Sequence, residues 1–143
     1  MENRILMLIA LTLLALGLCA CARADVVFSE VMASTATFVG ERHDDWVELH
    51  NTGGKAVSLS GWCLSNDPYN LRRWAFPDTA KIAKGGYLVV YCAGEPVTNG
   101  QSGALYTDFK ISAKGDELYL TDPQGNTQAL AFGAQFGNVS YGV

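Results

Sequence analysis

The chemically richest stretch of this chain is HDDWVELHN, residues 43–51, which holds two histidines, three acids and a tryptophan. Imidazole and carboxylate groups are common zinc ligands. Residues two apart on a strand share a face and lie roughly 6.5–7 Å apart, so Glu48 and His50 can reach one ion, with Asp44 farther along that face. A third protein ligand is needed to complete such a site. One hypothesis is therefore a small metal-dependent hydrolase that uses the cluster from His43 to His50.

The same stretch also fits an ordinary strand with one face in a core. Val47 and Leu49 fall on one face, and Trp46 lies on the opposite face with the polar residues. Antiparallel sheets commonly have such an apolar inner face and a charged outer face. The chain contains no HxH, HExxH or CxxC spacing. We therefore expect a structural strand, with no metal and no cofactor.

A calcium site is a further alternative, in the loop before this strand, where Glu41, Asp44 and Asp45 supply carboxylate oxygens. Calcium takes about six to eight oxygen ligands, and the chain has no EF-hand spacing. Other catalytic signatures are missing from the sequence as well, since it contains no Gly-x-Ser-x-Gly elbow and no P-loop. The sequence therefore does not predict an enzyme.

The beginning of the chain predicts export. Arg4 precedes the apolar run ILMLIALTLLALGL. This run is shorter than the roughly 20 residues that span a membrane, and it fits the apolar core of a secretory signal, which is about 7–15 residues long. Cleavage at the Ala-x-Ala site formed by Ala22 and Ala24 makes residues 1–24 a signal peptide and residues 25–143 the exported domain.

Two alternatives to this cleavage also lead to export. LCAC, residues 18–21, resembles a bacterial lipobox, which would make residues 1–20 a lipoprotein signal with Cys21 lipidated. The second alternative is an uncleaved N-terminal anchor. The expected location is therefore secreted, periplasmic or at the cell envelope, and we expect membrane contact only through such an N-terminal lipid.

Charge excludes one class of partner. The formal net charge is −4, and it is −5 after Ala24, because Glu2, Arg4 and Arg23 lie before that point. The chain has no basic run, so binding to nucleic acid or to an anionic membrane by bulk electrostatics is not expected. Residues 25–143 are enough for one domain with its own core.

Short β-rich runs and turn residues make up the remainder of the chain. NTGGK predicts a turn, in which Asn51, Gly53 and Gly54 tolerate a positive φ. Many short strands at regular spacing predict an antiparallel sandwich or barrel. The predicted strands are DVVFSEVMA, DWVELHN, AVSLSGWCLSN, RRWAFP, KGGYLVVYCAG, LYTDFKIS, DELYLTD and TQALAFG.

DDWVELHNTGGKAVSLSGWCLSND, residues 44–67, resembles the lamin tail domain, an immunoglobulin-like module first known from nuclear lamins and also found in exported bacterial proteins. The resemblance extends over residues 26–142. It rests on the order and spacing of several motifs, which are Trp46–Asn51, Val57–Leu64, Trp74–Pro77, Gly86–Val90, the late hairpin TDFKISAKGDELYLTDPQGN and SYG at Ser140–Gly142.

The resemblance implies an all-β, immunoglobulin-like antiparallel β-sandwich without catalytic activity. It implies a function in protein binding or scaffolding at the cell envelope or outside the cell, with a protein or envelope component as partner. A carbohydrate-binding module is an alternative, with Tyr69, Trp74, Tyr87 and Tyr91 as an aromatic platform. Most of these rings are expected to pack against neighbouring strands instead.

Strand alternation predicts the positions of the two cysteines after the leader. Trp62 and Leu64 are expected on the inner face, which directs Cys63 outward, whereas Cys92 aligns with inward-facing Val90. Sulfur atoms on different faces cannot reach the separation that a disulfide needs. We therefore expect two free thiols and a core that contains the indole of Trp62.

Overall fold

The structure is a computed structural model that describes residues 25–36, 43–95 and 103–143. Within these ranges the chain forms strands, turns and loops, and it contains no helix that is long and apolar enough to cross a membrane. The strands in chain order are β1 (Val26–Met32), β2 (Asp45–Asn51), β3 (Val57–Ser58), β4 (Cys63–Ser65), β5 (Trp74–Ala75), β6 (Lys81–Ile82), β7 (Tyr87–Cys92), β8 (Leu105–Tyr106), β9 (Asp116–Thr121), β10 (Thr127–Phe132) and β11 (Tyr141–Gly142).

Two larger sheets enclose the core. The five-stranded sheet has the order β11-β1-β2-β7-β8, and the four-stranded sheet has the order β10-β9-β4-β5. All described strand pairs are antiparallel except β7 with β8. A small sheet of β3 and β6 completes the described strands. The predicted all-β, immunoglobulin-like antiparallel sandwich is therefore confirmed.

Strand β2 lies at the centre of the five-stranded sheet because its apolar residues match those of both neighbours. Val47 pairs with Val31 of β1 and with Val90 of β7, and all three side chains are fully buried. Leu49, two residues on, is also fully buried. The predicted inward orientation of Val47 and Leu49 is confirmed, and full burial of a side chain of this size contributes about 1.5–3 kcal/mol to folding.

Asn51 shapes the turn after β2 by hydrogen bonding. Its buried side-chain amide donates to the carbonyls of Ile82, Ala83 and Lys55 at 3.1, 3.0 and 2.7 Å, and its Oδ1 accepts from the Gly53 amide at 2.9 Å. The chain turns here as predicted, although none of the three residues that tolerate a positive φ adopts one. The fully bonded amide instead joins β2 to the turn between β6 and β7.

Loop 66–73 covers the outer face of the four-stranded sheet. The Arg72 guanidinium lies 3.9 Å from the Cys63 sulfur, and the Thr121 hydroxyl donates to the Leu71 carbonyl at 3.4 Å. Cys63, Ser65 and Thr121 are consequently buried, although they alternate with the core residues of their strands. Cys63 therefore points outward as predicted, but it is buried, since an outward direction on this sheet leads under the loop.

The two cysteines are free and buried on different sheets. Cys92 points into the sandwich beside Val90, as predicted, whereas Cys63 lies beyond the inner face of the other sheet. Trp62 precedes β4 and is half-buried at the margin of the core, so it does not form the centre of the core as expected. Among the described residues, the buried aromatic side chains are instead phenylalanines, which are Phe28, Phe76, Phe109 and Phe132.

Candidate functional site

The outer face of the five-stranded sheet displays the polar half of HDDWVELHN. Trp46, Glu48 and His50 alternate with the buried residues of β2 and are half-buried themselves. The neighbouring strands bring further aromatic, apolar and acidic side chains to the same face. At the outward positions of the described strands of this sheet, the sequence places no Lys or Arg.

An aromatic row crosses this face along four adjacent strands. It consists of Met32, Trp46, Tyr91 and Tyr106, which occupy directly opposed positions on β1, β2, β7 and β8. Adjacent strands are about 4.8 Å apart, so the row extends over about 14 Å. The Tyr91 and Tyr106 rings stack with centroids 5.3 Å apart and an interplanar angle of 24°. The row is therefore a line of directly opposed residues, two of which stack their rings.

A second ring pair lies at the other end of the face. The His50 imidazole stacks on Tyr87 with centroids 4.2 Å apart and an interplanar angle of 8°. These residues are directly opposed on β2 and β7, and Tyr87 remains 60% exposed. The imidazole is therefore held against an aromatic ring.

Two opposed acids, Glu30 and Glu48, occupy the centre of the face. The Ser29 hydroxyl donates to Glu48 Oε1 at 2.8 Å, and the Ser140 hydroxyl donates to Glu30 Oε1. Like charges directly opposed on neighbouring strands are destabilising, and donor hydroxyls offset part of that cost. The face thus combines a negatively charged centre with aromatic ends.

The metal candidates are not assembled as a ligand set. Glu48 and His50 lie on the face, and Asp44 lies just before β2. Across the described ranges, no group of three or more His, Cys, Asp and Glu side chains is placed to hold a metal ion. Of the calcium candidates, Glu41 lies outside the described residues, and Asp45 Oδ1 accepts from the Thr35 amide at 2.8 Å.

The start of β2 also borders an open cleft of about 370 Å³. Cys92 lines the cleft, and burial raises the pKa of its thiol to about 12. A thiol that stays protonated at neutral pH is a poor nucleophile. Cys92 is therefore not an activated nucleophile. The residues that line the cleft are Ala33, Ser34, Thr35, His43, Asp44, Asp45, Cys92, Lys110 and Ala113.

The four aromatic residues considered for sugar binding do not form one platform. Tyr87 and Tyr91 share the outer face, but Tyr69 is a 97% exposed side chain of loop 66–73 on the other sheet. Trp74 packs against the core in an edge contact with Phe76, with centroids 4.8 Å apart.

The sequence interpretation missed two members of the aromatic row, Met32 and Tyr106. Both belong to strands whose neighbours are set by the sheet order, and β8 is the parallel neighbour of β7. Apolar alternation within each segment can suggest an outward direction, but it does not indicate which segments are adjacent.

A sandwich of two mainly antiparallel sheets around one core is an immunoglobulin-like module. A family model described as Lamin Tail Domain matches residues 20–134, so the chain belongs to the lamin tail domain family. Domains of this family are generally not enzymes. A comparison with curated proteins finds no match. Strand β11 lies beyond the matched residues but pairs with β1, so the folded unit extends to Gly142.

Proposed function

We propose that this protein is an exported, non-catalytic module that binds another protein through the outer face of its five-stranded sheet. The observation that carries the proposal is the aromatic row, in which Met32, Trp46, Tyr91 and Tyr106 line up across four strands. Aromatic residues and Met are enriched in protein interfaces, and Tyr and Trp bury a large area at low cost in side-chain entropy.

The ring geometry supports a protein partner over a sugar. A carbohydrate platform presents open ring faces on which sugars stack, whereas Tyr91 packs a face against Tyr106, and Tyr87 packs a face against His50. In each stacked pair one face of each ring is covered by the other ring, so less open ring face remains for a sugar. The rings therefore favour the protein-binding hypothesis over the carbohydrate-binding one.

The acids at the centre indicate the chemistry of the partner. Glu30 and Glu48 lie between the aromatic row and the His50–Tyr87 pair, and the chain carries a formal charge of −4. A complementary surface has one or two Lys or Arg side chains with apolar side chains on both sides. Electrostatic complementarity of this kind sets orientation and association rate more than affinity.

Site-specific photo-crosslinking tests the proposal. Replacing Tyr87 with p-benzoylphenylalanine places the reactive group on the face, and the same replacement at exposed Tyr69 is the control on the other sheet. In cells that produce the chain, we expect a discrete protein adduct from position 87 that is weaker or missing at position 69. Equal adducts at both positions, or none at 87, would contradict the assigned face. Retention on purified cell-wall polysaccharide with proteins removed would support the carbohydrate alternative instead.

Export is tested separately by the intact mass of the purified protein. We expect loss of the residues before Asp25, or a chain that begins at lipidated Cys21. A mass that retains residues 1–18 would contradict both forms of export processing.

A further inference from the structure

Strand β10 is an open edge of the four-stranded sheet. It pairs with β9 along all six of its residues, and none of the described strands pairs with its other side. The bond from the Asp122 amide to the Asn126 carbonyl makes these two a hydrogen-bonded pair. Such pairs alternate along an antiparallel ladder, so Thr127, Ala129 and Ala131 direct their backbone N–H and C=O groups away from β9.

This edge lacks the features that usually prevent strands from pairing between molecules. Edge strands are commonly protected by Lys, Pro, a bulge or short length. Strand β10 contains no charged residue and no Pro, and its register with β9 has no shift. Its outward side chains, Thr127, Ala129 and Ala131, are small and exposed. By contrast, the other edge strands of the two larger sheets, β5, β8 and β11, have two residues each.

Strand β10 is also held in position before any partner arrives. At the hairpin turn, the Asn126 amide and side chain donate to the Asp122 carboxylate at 2.8 and 2.7 Å, and the side-chain bond lowers the pKa of Asp122. Farther along, the Gln128 side chain donates to the Val26 carbonyl of β1 at 2.6 Å. A positioned strand loses little entropy when another strand adds to it.

We propose that β10 pairs antiparallel with β10 of a second copy of this chain, around a two-fold axis at Ala129. In that register Ala129 lies opposite Ala129 of the second copy, and Thr127 lies opposite Ala131 of the second copy. All three outward residues of each copy then bond across the axis, which gives about six backbone hydrogen bonds. The two four-stranded sheets become one continuous sheet.

The observations favour a second copy over an unrelated strand because the edge is complementary to itself. The two-fold pairing brings small, uncharged side chains opposite one another, and no charged residue follows Asp122 in the chain. A charged partner strand would find no opposite charge along β10. A two-fold interface of this kind is closed and stops at two copies.

Sedimentation of the purified chain, with its N-terminus defined by intact mass, tests the pairing. We expect a monomer–dimer equilibrium across the micromolar range. Ala129→Lys should raise the dissociation constant at least about 100-fold, because the two-fold axis brings like charges together. Ala75→Lys adds the same charge at the opposite edge of the same sheet and should leave the dimer unchanged. A wild-type chain that is monomeric throughout, or a dimer unaffected by Ala129→Lys, overturns the proposal.

Cysteine cross-linking tests the register independently of that variant's folding. Ala129→Cys places two thiols opposite each other at a Cα separation of about 5.5 Å, within disulfide range, so an oxidised covalent dimer is expected. Ala131→Cys alone should not cross-link, since the two copies of position 131 lie about 14 Å apart in this register. Mixing Ala131→Cys with Thr127→Cys should restore cross-linking. Cross-linking by Ala131→Cys alone, or failure of Ala129→Cys to cross-link, overturns the pairing.

Discussion

The outer faces of the two sheets differ although both belong to strands with alternating side chains. On the five-stranded sheet, the outward residues of β2 and β7 are half-buried or exposed, and Tyr87 is 60% exposed. On the four-stranded sheet, loop 66–73 lies over the outward residues Cys63 and Thr121, which are 5% and 3% exposed. The outer face of the five-stranded sheet is exposed or half-buried, whereas part of the outer face of the four-stranded sheet is buried under the loop.

The difference shows that a loop determines which outward-facing residues of the two sheets remain exposed. Arg73 bonds Asn66 within the loop at 3.1 Å, and it anchors the loop by pairing with Asp108 at 3.4 Å and by lying 5.1 Å from the centre of the Phe109 ring. These anchors connect the loop to the segment after β8. The aromatic row thus lies on the sheet opposite the one that loop 66–73 covers.

The inner faces of the two sheets both form the core, so truncating a leucine on either face should cause a similar loss of stability. These losses are the largest effects that we expect. Leu49→Ala in β2 and Leu64→Ala in β4 each remove a fully buried side chain and should lower the free energy of unfolding by about 2–5 kcal/mol. Urea denaturation followed by circular dichroism measures both losses. A loss below about 1 kcal/mol for either variant would show that its sheet does not form the core as described.

The outer faces should respond differently to the same charge. Cys63→Lys forces an ammonium under loop 66–73 and should cost about 2–4 kcal/mol. Val89→Lys lies on the other outer face opposite Glu48 and should change stability by less than about 1 kcal/mol. Thermal and urea unfolding of the two variants compare them directly. Equal tolerance would mean that the loop is not a structural layer.

The reactivity of the two cysteine thiols tests whether both positions are buried. Both should be unreactive towards Ellman's reagent in the folded protein, and both should react in unfolded, unreduced protein. Burial raises the pKa of Cys92 from 9.0 to about 12, so its contribution to stability is fully present below about pH 9 and is lost between about pH 9 and 12.

Urea midpoints at pH 8 and pH 10.5 measure this alkaline loss. Cys92→Ala is the control, because it lacks the titrating thiol and should lose less stability over the same interval. A thiol count of zero in unfolded, unreduced monomer would show a disulfide and contradict the face assignment of the cysteines.

The smallest effects are expected for the polar residues of the open face. Glu48→Ala removes one acceptor of the Ser29 hydroxyl, and His50→Ala removes one partner of Tyr87. Each should change the free energy of unfolding by no more than about 1 kcal/mol and leave the metal content unchanged. Elemental analysis and melting temperatures with and without chelator measure this. Stoichiometric metal that disappears with His50→Ala would favour the hydrolase hypothesis.

Local periodicity was sufficient for some of these features and insufficient for others. The inward direction of Val47, Leu49 and Val90 follows from alternation, because each side chain lies on a strand with a core on one side. Cys63 shows the limit, since its burial depends on a loop that follows it in the chain. Trp62 shows another, because its size predicts a central position, whereas it lies at the margin of the core.

The amino-acid sequence by itself determined the all-β class, the family and the two faces of β2, because strand propensity, turn residues and alternation are properties of short segments. Only the tertiary structure decided that Met32, Trp46, Tyr91 and Tyr106 form one row and that β10 is an edge. Both depend on which strands are neighbours. Strand order is set by contacts between distant segments, which the pattern within any one segment does not specify.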